Sequence, residues 1–214
     1  MTVNHEIKSH LAKLLATEDL VVEHRHVETA QFNVHTRVLT LPMWEKASGV
    51  VYDMLVGHEV GHALYTPDRN WLKEKKISPQ LVNIVEDVRI EKLMKRRYAG
   101  ISKTFYRGYQ ELSAEDFFAL ENENIDLMNL ADRINLHFKI GSFVEIPFKS
   151  LKENILVKKV ADCETFDDVL NIAEELYNFC KEEAKTDTHQ KQQQETEGQQ
   201  SSESSIESPE SGDS

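Results

Sequence analysis

A chain of 214 residues carries 37 acidic against 25 basic side chains, a formal net charge of −12, and only two cysteines. That length suits one domain of ordinary size with an appendage, and the acidic balance argues against nucleic acid as a direct partner. Cys163 and Cys180 form neither a disulfide framework nor a C-x-x-C pair, so they read as reduced thiols of a cytoplasmic protein.

The start, Met1 to Glu6, has no basic segment followed by an apolar one, and no apolar run approaches ~18 residues. Neither a leader nor a membrane contact is therefore expected. Ile7, Leu11, Leu14 and Leu15 recur at helical spacing and predict an amphipathic helix over 5–16. Leu20 to His24 reads as extended. Phe32-Asn33-Val34 and Arg37 to Leu41 alternate around His35-Thr36, which predicts a hairpin ended by Pro42. His24 and His26 lack a third ligand nearby and read as surface or sheet-edge residues.

Ser48 is placed to cap the next helix, which ends at Thr66-Pro67. This helix contains His58-Glu59-Val60-Gly61-His62. Residues four apart lie on one helix face, so both imidazoles can reach one metal ion. Glu59 projects beside them, where a carboxylate can take a proton from water at that metal. Leu55, Val56, Val60, Ala63 and Leu64 make the helix a buried one. Buried histidines and a buried glutamate need partners. Gly57 and Gly61 each cost roughly 1 kcal/mol inside a helix, which predicts close approach by another element.

Trp71 to Ser78 is a polar connection, and Pro79 opens a second helix to about Tyr98. One face carries Leu81, Ile84, Val85 and Val88. The other carries Asn83, Glu86, Asp87 and Glu91 with Ile90 and Met94. Apolar residues on both sides predict burial, and buried carboxylates need metal or cations to neutralise them. Two histidines leave a tetrahedral zinc in need of a third protein ligand. Glu86 is the first candidate and Asp87 its rival; adjacent positions differ by about 100° of rotation, so spacing does not choose. Whichever is not the ligand would hold a histidine ring by its other nitrogen.

Tyr98 to Tyr109 is aromatic and basic, more in keeping with packing than with an oxyanion role. Ser113 reads as the cap of a helical stretch over 113–140, carrying Leu127, Leu130, Ile134 and Phe138. Phe143 to Pro147 reads as a loop, and Thr165 as the cap of a helix over 166–183. From Lys185 the sequence is Gln, Glu, Ser, Thr and Gly, which predicts a disordered tail or linker over 185–214 after a domain over 1–184.

The stretch Leu55 to Leu64 resembles the extended motif of zincin metallopeptidases, and a following acidic helix resembles their gluzincin branch. More narrowly, G-H-E-x-G-H-A-L-Y-T-P followed by N-x-x-E-D-x-R-I-E resembles the peptidase-like proteins of tailed phages. Some of those join such a region through an acidic linker to a von Willebrand A domain, similar to that of chelatase subunits that work with ring ATPases. The resemblance spans roughly residues 20–100. It implies a zincin-like α+β fold, mostly helical, with a small N-terminal sheet beside the motif helix. It also implies zinc on His58, His62 and Glu86, Glu59 as base, a peptide or protein substrate, and host cytoplasm as location. A strand edge would lie above the metal, with Arg37 to Leu41 as candidate. One departure stands out: gluzincins carry an Asp where this chain has Ile90, and Asp87 and Glu91 form the acidic pair instead. The alternative expectation is a non-catalytic module, metal-stabilised, that binds a ring ATPase or virion protein, with the tail as a contact.

Overall fold

The computed structural model describes residues 3–203, with side chains through residue 185. It is mixed α and β, mostly helical, with one small sheet near the N-terminus.

Helix α1 (His5–Ala16) begins at Asn4, whose side-chain oxygen accepts from the backbone N–H of Glu6 and Ile7. Of the expected stripe, Leu11 and Leu15 pack against the core. Ala12 and Ala16 are buried, whereas Ile7 and Leu14 face solvent. Small residues let α1 lie close to its neighbours, and Lys8 anchors it by reaching Gly49 O and Asp53 Oδ1 at 3.1 and 2.5 Å.

Strands β1 (Val21–Arg25), β2 (Gln31–Asn33) and β3 (Val38–Pro42) form a sheet in the order β1-β3-β2. The expected hairpin is β2 with β3, antiparallel, while β1 runs parallel to β3. The turn is built on Asn33, whose Oδ1 accepts from His35 N and Thr36 N, both at 3.0 Å. Arg37 then takes a left-handed φ of 59°. Because β3 is paired on both sides, Arg37 to Leu41 is not a free edge. The strand beside the cleft is β2.

Helix α2 (Gly49–Tyr65) is the centre of the molecule. Ser48 caps it through Val50 N and Val51 N. Its buried residues occur all round, so it is enclosed by its neighbours except where His58 and His62 stay partly exposed. It packs on α1, the sheet, α3 (Pro79–Arg97) and α4 (Ile101–Ala114). The two glycines are where those neighbours come closest. A Cβ at Gly61 would lie 2.7 Å from Ile90 Cδ1 of α3, and one at Gly57 2.9 Å from Ile101 Cδ1 of α4.

The helix expected over 113–140 is not continuous. Ser113 sits in the last turn of α4, and turns and a short 3-10 helix (Ile125–Leu127) follow until α5 (Leu130–Ile140), which Asn129 caps through Asp132 N. Leu127, counted in the helical spacing of that stretch, is 82 % exposed. A helix absent from the expectation, α6 (Leu151–Asp162), starts with a reciprocal box between Ser150 and Glu153. Thr165 caps α7 (Phe166–Glu203) as expected, its hydroxyl accepting from Asp168 N. The α7 backbone runs past Lys185 to Glu203, because Gln, Glu and Lys favour helix even with nothing to bury. Residues 204–214 of the expected tail lie outside the described residues.

Two hydrophobic clusters share the interior. One joins α1, the sheet, α2 and α4; the other joins α3, α5, α6 and α7. Helix α3 contributes Met94 to the first and Val82, Ile84 and Val85 to the second, and α5 likewise gives Leu136 and Ile140 to the first and Leu130, Ala131 and Ile134 to the second. The α2–α3 contact is thus the seam of the molecule. Among the described residues no helix is long and apolar enough to cross a membrane, and Cys163 and Cys180 are free thiols.

Candidate metal site at the α2–α3 seam

His58 and His62 stand one turn apart on α2 and face α3. The α3 residue that meets them is Asp87. Its Oδ1 lies 3.5 Å from His58 Nε2 and 3.3 Å from His62 Nε2. The three donor atoms lie within 4.8 Å of one another, and the group could hold a metal ion. Their spacing suits one. Ligand bonds of about 2.0–2.1 Å to a tetrahedral zinc make the edge between two ligands about 3.3 Å. Two nitrogens and one carboxylate oxygen are also the donor types such a centre takes.

The outer nitrogen of each ring is held. His58 Nδ1 meets Glu91 Oε1 at 3.0 Å, and the Tyr109 hydroxyl donates to the same oxygen. His62 Nδ1 meets Thr66 Oγ1 at 2.9 Å, and that hydroxyl donates to Glu86 Oε1 at 2.5 Å. With its proton given to Glu86, the Thr66 oxygen accepts from His62 Nδ1–H. Both rings therefore turn Nε2 toward Asp87.

Glu86, the first candidate for the third ligand, is not in the group. It is 2 % exposed and closed by Arg89, whose Nε and Nη2 donate to its two oxygens at 2.7 and 2.6 Å. Arg89 also donates to Tyr65 O at 2.8 Å. Glu86 thus acts on the site only through Thr66. Asp87, one position on, is turned to the histidines. The acidic pair read as a departure from the gluzincin pattern is the pair that meets the histidines: Asp87 faces both Nε2 atoms and Glu91 holds the His58 ring.

The sequence reading did not single out Thr66, Lys139 or the specific role of Glu91. Thr66 is four residues after His62 on the same face, a signal that was present. Lys139 comes from α5, 52 residues from Asp87, and nothing local marks it. Its Nζ lies 3.0 Å from Asp87 Oδ2, so it occupies the outer oxygen and leaves Oδ1 to the histidines.

Burial alone would lower the His58 pKa, but Asp87 and Glu91 outweigh it and hold the ring at about 10. Burial would raise the Asp87 carboxyl, yet Lys139 and both rings draw it well below the usual carboxylate range. Glu91 is lowered in the same way by His58 and Lys95. Burial raises Glu59, only partly offset by His58 and His62. Burial and the Glu91 charge push the Tyr109 phenol well up, so it stays a donor.

The site opens into a cleft of about 520 Å³. Glu59, His58, His62, Asp87, Tyr109 and Lys139 all line it, as do Gln31 and Phe32 of β2. No family model, curated protein or solved structure matches the chain.

Proposed function

We propose that this chain is a zinc-dependent peptide hydrolase with a zincin-like site. One observation carries the reading. Two Nε2 atoms and one carboxylate oxygen converge at ligand spacing beside a buried glutamate, on the wall of an open cleft. His58, His62 and Asp87 would hold the metal. Zinc, when bound, supplies a Lewis acid that polarises the substrate carbonyl and acidifies water.

The remaining work falls to the chain's own side chains. Glu59 takes a proton from the attacking water and returns it to the leaving amine, and its raised pKa suits both halves of that cycle. Glu91 and Thr66 keep the rings in the ligating tautomer. Lys139 fixes Asp87 and adds a positive charge at the cleft where negative charge develops on the carbonyl. The resemblance to gluzincins and to phage peptidase-like proteins agrees with this reading, with Asp87 replacing Glu86 as ligand.

The test is Glu59→Gln. It should bind one zinc per chain and lose hydrolysis of unstructured protein by roughly 10²-fold or more. Equal activity in the variant would sink the mechanism. A second reading has its own support. The site joins α2 to α3 across the seam between the two hydrophobic clusters, where a metal would brace an interaction module without catalysis. Unchanged biological function of Glu59→Gln in its own context would favour that module, with a ring ATPase or virion protein as its partner.

A further inference from the structure

Glu59 and Asp87 line the cleft, and Glu91 stands behind His58. Carboxylates gathered in this way suggest an oxygen-rich site, of the kind that takes calcium, magnesium or manganese. The hydrogen bonds leave a different donor set. Glu91 Oε1 is taken by His58 Nδ1 at 3.0 Å and by the Tyr109 hydroxyl, and Glu91 Oε2 faces Lys95 Nζ at 3.3 Å. Asp87 Oδ2 accepts from Lys139 Nζ at 3.0 Å. Asp87 Oδ1 is the oxygen that faces both Nε2 atoms.

Lys139 is aimed by the packing of α5. Leu136 and Ile140 bury on either side of it in the cluster around α2 and α4, and Ile134 buries in the other cluster. The Lys139 side chain, 20 % exposed, is left to line the cleft. An ammonium near a metal position repels any dication placed there. That repulsion is alike for ions of equal charge, but their need for donors differs. A tetrahedral zinc takes three protein donors and keeps one position open, which two nitrogens and one oxygen provide. Calcium takes about 6–8 oxygens, and manganese favours an octahedral, oxygen-rich shell. Held by Lys139, Asp87 gives such ions one oxygen; freed, it gives two.

We infer that Lys139 selects the metal: by occupying Asp87 Oδ2 it limits the aspartate to one donor oxygen and turns the site from oxygen-hungry cations toward zinc. This rests on the reading of His58, His62 and Asp87 as the metal ligands. Lys139 acts through Asp87 and is a positioning residue. Its signature is therefore the ratio of two metal affinities and the number of donors around the ion, not the strength of binding itself.

The experiment uses the full chain stripped of metal, as wild type and as Lys139→Met, which stays close to lysine in length and loses the donor. Kd values for zinc and manganese are measured by competition with a chelator, and cobalt(II) is added as a spectroscopic probe of the donor number. In the wild type, cobalt should show the intense visible bands of a four-coordinate ion. In Lys139→Met the manganese-to-zinc Kd ratio should fall about tenfold or more, and the cobalt bands should weaken about threefold as Asp87 offers both oxygens. The ratio cancels the repulsion lost with the ammonium, since that loss strengthens both ions alike. An unchanged ratio or unchanged bands in Lys139→Met would overturn the inference. So would the pale spectrum of six-coordinate cobalt in the wild type, and that result holds whether or not Lys139→Met folds. The outcomes also separate the two readings. A wild type that binds none of the three ions removes both; zinc bound with no shift in the variant removes the selector alone. A shift in the variant, with no casein digestion by the zinc-loaded wild type, removes the hydrolase alone.

Discussion

Two clusters of buried charge in this protein differ in how they end. Arg133 and Glu153 form one, with side chains 3 % and 4 % exposed. The guanidinium donates to Glu153 Oε1 at 2.7 Å, to Pro147 O at 2.7 Å and to Met128 O at 3.1 Å. The carboxylate in turn accepts from Lys149 N and Ser150 N at the start of α6. The cluster closes on itself. His58, His62 and Asp87 form the other, and there each outer atom is bonded while both Nε2 atoms face Asp87 Oδ1 at 3.3–3.5 Å beside a cleft. A structural cluster uses its polar atoms up. A binding cluster fixes its backs and leaves its fronts toward a space.

The largest effect expected is therefore on the closed cluster. Arg133→Ala leaves Glu153 buried without its counter-charge, and should cost about 3–5 kcal/mol in urea unfolding. Replacing both by apolar residues, Arg133→Met with Glu153→Leu, should recover much of that loss. Recovery is not available to the open cluster if its arrangement serves a metal. A double variant no more stable than Arg133→Ala would mean that the pair does more than hold α5 to α6.

Zinc addition sharpens the same contrast. At free zinc of about 100 times the Kd, the wild-type protein should gain about 2.7 kcal/mol and melt higher. Asp87→Asn should lose that gain. Glu86→Gln should keep it, at lower absolute stability because Arg89 loses its charged partner. Comparing the zinc-induced increment, rather than the melting temperature itself, removes each variant's folding cost. The opposite pattern, with Glu86→Gln losing the gain and Asp87→Asn keeping it, would return the third ligand to Glu86.

Those adjacent residues show where sequence reasoning stops. The motif helix, its Ser48 cap, its end at Thr66-Pro67 and the second helix from Pro79 were all legible, because each rests on local chemistry. So was the need for close neighbours at Gly57 and Gly61. The choice between Glu86 and Asp87 was not, since it depends on the rotation of α3 against α2, and that is set by Ile90 and Met94 packing on Gly61. Lys139 was invisible because only tertiary folding brings α5 to the site. The helix expected over 113–140 failed for another reason. Ser113 followed by Glu115-Asp116 looks like a start, yet the apolar face of α4 had already begun at Ile101 and Phe105. The box of Ser150 and Glu153 that opens α6 was a readable signal left unread. In the hairpin, strand existence followed from alternation, but the parallel pairing of β1 that makes β3 central did not.

A smaller effect tests the packing that sets that rotation. Gly61→Ala would place its Cβ 2.7 Å from Ile90 Cδ1 and 3.2 Å from Met94 Cγ. Ile90 and Met94 are both fully buried, so neither can swing clear. The gain in helix propensity, about 1 kcal/mol, works against an overpacking cost of about 1–3 kcal/mol. The net loss should be about 1 kcal/mol in unfolding, accompanied by weaker zinc binding as α3 is pushed from α2. A stabilised variant with unchanged zinc affinity would show that the two helices can slide without moving Asp87.

The smallest effect concerns a third polar cluster, which is neither closed nor aimed at a cleft. His5 and His24 meet edge to face at 4.5 Å where α1 meets β1, and the Nδ1 atom of each is buried without a hydrogen-bond partner among the described residues. Burial, and then the neighbouring His5 ring, lower the His24 pKa below its ordinary 6.5. Above that value neither the folded nor the unfolded chain carries the proton, and stability is fully present. As pH falls below it, the unfolded chain takes up a proton that the folded one refuses, so stability is lost. His58 runs the other way: its pKa is held at about 10, and its contribution is complete below 6.5 and lost as pH rises through about 10. The acid side of the stability profile thus reports on His24 without interference from His58. Replacing His24 with glutamine should flatten the profile between pH ~6.5 and ~5 relative to wild type, read as the difference between the two unfolding curves. Parallel curves over that interval would mean that the α1–β1 contact admits a charged ring, and that burial there is looser than in either of the other two clusters.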